Sequence, residues 1–176
     1  MRISCSPMLR FLALAVVTLT LSASQAGAAV RLPNVFGNHM VLQREKPVTV
    51  WGWAEPGEKV TLTFAGQTRT VVAVDSGDWK IQLEPLKTSF EGRELTVTGS
   101  DSHITITDVL VGEVWLCGGQ SNMEWTLRAS RDADVEIPSA DSPAIRFLRM
   151  PKIARQFPQT DFPVRNPDSG EIGRAH

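Results

Sequence analysis

The stretch "DVLVGEVWLCGGQSNMEW", Asp108 to Trp125, decides how the chain divides. Val109, Leu110, Val111, Val114, Trp115 and Leu116 form an apolar run, interrupted by Gly112-Glu113, that lacks clean alternation. Continuous runs of this kind suit a strand buried on both faces, as in a parallel sheet covered by helices. Val114–Leu116 is therefore expected to be a buried strand, with Cys117 a small packed residue behind it. Gly118-Gly119 then breaks the run. Glycine permits positive φ or close backbone approach, and a sharp turn there presents Ser121 instead of burying it. At such a corner the Ser121 backbone N–H can contribute to an oxyanion site, while Gln120 and Asn122 can hold the loop by hydrogen bonds. Taken alone, a serine in a Gly-rich turn is equally a plain turn residue.

Upstream, from Val30 to about Thr107, the pattern is strands and turns. Val60, Leu62 and Phe64 alternate with Thr61 and Thr63; Trp79, Ile81 and Leu83 alternate with Lys80 and Gln82; Leu95 and Val97, then Ile104 and Ile106, repeat the theme. Period-two alternation means one face buried and one wet. Glu55-Pro56-Gly57-Glu58, Ala65-Gly66-Gln67, Asp75-Ser76-Gly77-Asp78 and Gly99-Ser100-Asp101 supply turn chemistry at intervals of roughly ten residues, as in a sandwich. Trp51 and Trp53 fall on one face of a strand, a pattern that suits core or inter-domain packing, or a sugar-stacking platform. The fold expected is mainly β: a β-sandwich-like domain over residues 29–107, with a boundary near Thr107-Asp108. Beyond Trp125, Asp132 to Ala140 suggests a short helix broken at Pro138, and Ala144 to Met150 a further strand. Prolines at 151, 158, 163 and 167 then prevent a long regular element.

The first 28 residues read as an address. Arg2 and Arg10 precede an apolar run from Phe11 to Val17 that extends through Leu19 and Leu21, and Ala26-Gly27-Ala28 fits a small-x-small cleavage rule. An exported protein, periplasmic or secreted, with no membrane span after cleavage is expected. Those two arginines belong to the chain's 18 basic residues, while all 19 acidic ones lie beyond residue 28, so the remainder is mildly acidic. Such a charge carries no nucleic-acid signal. Of two cysteines only Cys117 survives processing, which leaves no internal disulfide.

"LPNVFGNHMVLQREKPVTVWGWAEPGEKVTLTFAGQ", then "DVLVGEVWLCGGQSNMEW" and the weaker "DVEIPSADSPAIRFLRMPK" resemble, in order, the N-terminal part of bacterial sialate O-acetylesterases, a branch of the SGNH-type hydrolases. The likeness runs over about residues 31 to 162. It implies a β-rich domain beside an α/β/α hydrolase domain, of which residues 108–170 would be the first strand and nucleophile elbow. It also implies that Ser121 is the nucleophile, supported by Gly118, Gly119, Gln120 and Asn122. Gly118 stands where the family more often has serine, which removes a hydrogen bond without harming the turn. The implied reaction is hydrolysis of an acetyl ester on a sugar such as sialic acid through an acyl-enzyme, without metal or organic cofactor. Glu124 and Trp125 are placed to line the sugar site, or to pack at a helix start.

A serine nucleophile needs a base. His39 belongs to the "NHMVLQ" stretch and is expected to be structural; His103 alternates with Ile104 and Ile106 and should face solvent; His176 is the last residue. In the family the base lies in an Asp-x-x-His segment far downstream, and none occurs here. Asp132, Asp134, Asp141 and Asp161 have no histidine placed to use their support. Glu171 to His176, "EIGRAH", reads as the translated start of a common sequencing adapter, so residues 171–176 are expected not to belong to the gene, and the chain to be an inactive piece of a longer esterase. Two other readings compete: a secreted carbohydrate-binding module in which Trp51, Trp53 and Trp79 stack on sugar and Ser121 is inert, and a purely structural domain.

Overall fold

Ala65 and Gly66 both take positive φ, 49° and 78°, and turn the chain between two strands in register from Lys59–Val72 to Phe64–Gln67. A two-residue loop with this handedness matches the right-handed twist of the strands it joins. The computed structural model of the chain describes residues 29–151, 153–162 and the backbone of 173–175; the expected signal segment 1–28 and residues 171, 172 and 176 lie outside the described residues. The strands are β1 (Val41–Gln43), β2 (Val48–Trp53), β3 (Lys59–Phe64), β4 (Gln67–Val72), β5 (Asp78–Leu83), β6 (Ser89–Thr98), β7 (His103–Gly112), β8 (Ser142–Phe147) and β9 (Gly173–Ala175). One helix, α1 (Ala133–Ser139), and two 3-10 turns lie between β7 and β8.

Five strands form a sheet in the order β1-β7-β6-β3-β4, and β2 and β5 form a separate antiparallel ribbon. The alternation expected in the sequence is realised in both. Val60, Leu62 and Phe64 from β3, Trp79, Ile81 and Leu83 from β5, and Leu95 and Val97 from β6 meet in one buried cluster. Their neighbours Thr61 and Thr63 stay outside, where their hydroxyls bond Thr70 and Thr68 across the hairpin at 3.0 and 3.2 Å. Trp79 packs over Gly52 of the facing strand, where a side-chain carbon would collide with the Arg31 carbonyl oxygen and the indole. The three tryptophans therefore do not act alike. Trp79 is buried and is removed from the expected stacking platform, while Trp51 and Trp53 face away from the core side of β2.

The expected change of character at Asp108 has a different physical origin. β7 runs without a break across positions 107 and 108, and Val109 and Val111 belong to the same core as β3 and β6. Pairing moves from Leu95–Ile106 to Arg93–Val109, so β7 holds one residue more than β6 there, and Asp108 takes a left-handed φ of 54°. This is a β-bulge, which shifts the phase of alternation and re-aims a side chain. Aspartate tolerates the left-handed region better than most residues. After the bulge, β7 also gains β1 as a parallel neighbour, with Val41, Leu42 and Gln43 opposite Leu110, Val111 and Gly112. Burial of consecutive residues follows from the bulge and this extra neighbour.

Val114–Leu116, expected as a buried strand, forms no strand and is exposed, with Trp115 at 82% and Leu116 at 98% of full exposure; Cys117 is exposed as well. A strand buried on both faces needs flanking strands and covering helices. Among the described residues none lies beside it. The helix does continue through Pro138, but ends one residue later, where the Ser139 hydroxyl bonds the Glu136 carbonyl at 2.9 Å. The later strand is Ser142–Phe147, shifted toward the N-terminus of the expected Ala144–Met150 and paired with β9. No helix among the described residues is long and apolar enough to cross a membrane.

Candidate functional site

The chain leaves the sheet under tight control. Arg44 donates its backbone N–H to the Gly112 carbonyl at 2.9 Å, and the Gln43 side-chain oxygen accepts from Val114 N–H at 2.9 Å. The Gln43 amide nitrogen donates to Glu113 Oε2 at 2.9 Å, and Arg44 Nε to Glu113 Oε1 at 2.7 Å. The hydrogen bond from Gln43, then that from Arg44, hold the Glu113 carboxyl below its usual range; the same contact with Glu113 raises the Arg44 guanidinium. The consecutive pair Gln43-Arg44 thus fixes the direction in which residues 114–119 set out toward Ser121. None of these three residues was singled out in the sequence, where a polar pair after an apolar run reads only as a solvated strand end.

Ser121 is exposed and opens a 3-10 turn, Ser121–Glu124, preceded by Gln120 in an extended conformation. Met123 N–H bonds the Gln120 carbonyl at 2.9 Å and Trp125 N–H the Asn122 carbonyl at 3.1 Å, so backbone bonds make the turn. The expected side-chain support is not formed: among the described residues, neither Gln120 nor Asn122 gives a side-chain hydrogen bond. Ser121 N–H, at the first position of the turn, has no acceptor within it and is free to meet a ligand oxygen. The two glycines differ in what they do. Neither takes positive φ. Gly119 lies in close approach, since a side-chain carbon there would fall 2.7 Å from Cγ of the exposed Met123 and displace it, whereas at Gly118 nothing comes within 4 Å. Trp125 is exposed and its indole N–H bonds the Ala129 carbonyl at 2.9 Å, so the side chain's single polar group is spent on the following 3-10 turn. The Glu124 side chain lies outside the described residues.

None of the described histidines bonds Ser121. His39 Nδ1 meets Asp108 Oδ2 at 2.7 Å, and His103 bonds the hydroxyls of Thr98 and Thr105. His176 lies outside the described residues. Asp161 accepts from both the backbone N–H and the side-chain amide of Asn34 and so joins residues 161–162 to the loop before β1. Among the described residues no three His, Cys, Asp or Glu side chains come together as a metal-ligand set.

No family-wide sequence profile matches the chain. It is 29% identical over 169 residues to a sialate O-acetylesterase of Mus musculus, which covers 86% of this chain and 31% of that protein. To the sialate O-acetylesterase of Homo sapiens it is 33% identical over 139 residues, covering 73% of this chain and 27% of the relative. Its structure is similar to the crystal structure of a carbohydrate acetylesterase from Xanthomonas citri, with a TM-score of 0.74 and 34% identity over 77% of this chain and 31% of that one. The chain spans about a third of the length of these relatives or less. With ordered strands, the Gly-Gly-Gln-Ser turn and these matches in agreement, the chain belongs to the sialate O-acetylesterase family.

Proposed function

We propose that the chain is part of an exported carbohydrate O-acetylesterase in which Ser121 is the nucleophile. The observation that carries this reading is the exposed Ser121 at the head of a backbone-built turn, two residues after Gly119, in a chain of this family. Ser121 Oγ attacks the acetyl carbonyl as its proton passes to a base; the tetrahedral intermediate collapses, the proton returns to the departing sugar hydroxyl, and an acetyl-serine forms. Water, deprotonated by the same base, then releases acetate. The Ser121 N–H supplies one oxyanion donor. Residues 108–170, of which 108–112 complete β7, are read as the opening of an SGNH-type domain, and residues 1–28 as its export signal.

The base comes from chain beyond that described. His39 is held by Asp108 and His103 by two threonines, which leaves no described histidine to serve Ser121. With no described histidine beside Ser121, the 176-residue chain alone should turn over p-nitrophenyl acetate no faster than its Ser121→Ala variant. In a longer protein carrying a downstream Asp-x-x-His, Ser121→Ala should abolish acetate release from an O-acetylated sugar. Unchanged release in that variant would sink the assignment. The other reading, a sugar-binding module without catalysis, draws on the exposed Trp51 and predicts no acetate release even from the longer protein.

A further inference from the structure

Trp51 is 39% exposed on the outer side of β2 and lines a cavity of about 340 Å³. Pro33, Val35 and Trp51 form one wall, and Met150 with the segment from Gln159 to Phe162 forms the other. None of these residues belongs to the Gly118–Trp125 segment. The walls are pinned together. Asn34 donates its backbone N–H and its amide to the Asp161 carboxylate, each at 3.0 Å, and its amide also to the Phe162 carbonyl at 2.7 Å. Phe36 sets the indole from the side, edge-on, with ring centroids 4.8 Å apart and planes at 75°. The cavity is thus pre-formed, and its size is at the lower end for small-molecule sites.

We propose that this groove binds a neutral pyranose ring. A pyranose offers an apolar C–H face and a girdle of hydroxyls, and it needs an aromatic surface for the first and polar atoms for the second. Trp51 supplies the surface. The Thr160 hydroxyl and the Gln159 side-chain oxygen supply a donor and acceptors within the same lining, beside the Asp161 carboxylate, whose oxygens already accept from Asn34 and from the Phe162 N–H. Gln159 is held in place by its amide nitrogen, which donates to the Phe157 carbonyl at 2.9 Å and leaves its oxygen to accept. Among the described residues no Lys, Arg or His lines the groove and no cation pairs with Asp161. A sugar bearing a carboxylate would meet a like charge there and be rejected. The groove therefore reads the neutral part of a glycan and not a sialic acid. The identification of a sugar as occupant rests on the reading of the chain as part of a carbohydrate esterase.

The test is saturation-transfer NMR and titration of the 176-residue chain with tetrasaccharides of glucose, xylose and mannose, and with N-acetylneuraminic acid. At least one neutral tetrasaccharide should bind, Trp51→Ala should weaken it about tenfold or more with the thermal midpoint retained, and N-acetylneuraminic acid should bind far less. Asp161→Asn removes the charge and should narrow the gap between the charged and neutral sugars. Absence of binding by every neutral sugar at about 10 mM, equal binding by Trp51→Ala, or preference for N-acetylneuraminic acid overturns the proposal. Acetate release by the longer protein and its Ser121→Ala variant is a separate readout. Trp51-dependent binding without Ser121-dependent hydrolysis would refute the esterase and keep the groove, and the converse would refute the groove alone.

Discussion

His39 Nδ1 lies 2.7 Å from Asp108 Oδ2, and both residues are in the left-handed region, at φ 66° and 54°. His39 also donates its backbone N–H to the Thr107 carbonyl at 2.9 Å, and Asn38 accepts from the Thr107 N–H, so the segment before β1 is fastened to the bulge in β7. Arg146 of β8 reaches the same Asp108 oxygen at 3.1 Å. Its side chain is only 4% exposed, and its Nε and Nη1 are buried without a partner. Asp108 is thus the anion that holds a buried cation and a strained loop together.

Removing that anion should be costly. Asp108→Ala leaves Arg146 buried with no counter-charge and places a residue less tolerant of positive φ in the bulge, so a loss of about 3 kcal/mol is expected. Arg146→Met in the same background should recover part of it, because the uncompensated charge is gone. Denaturant unfolding of the single and double variants measures both, and a double variant no better than Asp108→Ala would refute the charge argument.

The Glu113 contacts give a pH dependence with a definite sign. Hydrogen bonds from Gln43 and Arg44 lower its pKa from the ordinary 4.5, so the folded state favours the ionised carboxylate. The stabilisation is fully present above the ordinary value and is lost as pH falls through the lower folded one. Thermal melts should show Glu113→Gln diverging least from the parent at strongly acidic pH and most at neutral pH. The partners are half-exposed, so the difference should shrink in salt.

At the serine turn, Gly118→Ser should leave the melting temperature unchanged, since nothing lies within 4 Å of the added carbon. Gly119→Ala should loosen the turn, since its carbon would fall 2.7 Å from Met123 Cγ. Limited proteolysis between residues 112 and 130 reads this directly. Faster cleavage is expected for Gly119→Ala alone, and equal rates for the two variants would refute the close-approach role.

In the core, Phe64→Ala removes one of the largest fully buried side chains and should cost about 3–5 kcal/mol. Gly52→Ala forces a carbon onto the Arg31 carbonyl and the Trp79 ring, so it should destabilise although the added group is small. Chemical denaturation ranks both against Phe90→Ala, an exposed ring whose loss should change little.

Much of the β-rich part was legible because each strand carries its own record. Val60, Leu62 and Phe64 mark the inward face by alternation alone, and Gly66 marks the hairpin by its conformational tolerance. The exposure of Ser121 after two glycines was likewise readable from local chemistry. The run from Val109 to Leu116 was misread because one apolar stretch contains two environments. Val109–Val111 is buried by a bulge and by β1, while Val114–Leu116 is uncovered.

Alternation, turn residues and the Gly-Gly-Gln-Ser sequence therefore determined which faces are wet, where hairpins close and which hydroxyl is offered, since these depend on neighbours a few residues away. Only the tertiary structure decided that Val41 lies beside Leu110, that Asp108 serves His39 and Arg146 together, and that Asn34 closes a groove beside Trp51 by binding Asp161. Those partners are 38 to 127 residues apart. Such pairings are selected by the packing of the whole chain and leave no periodic trace along it.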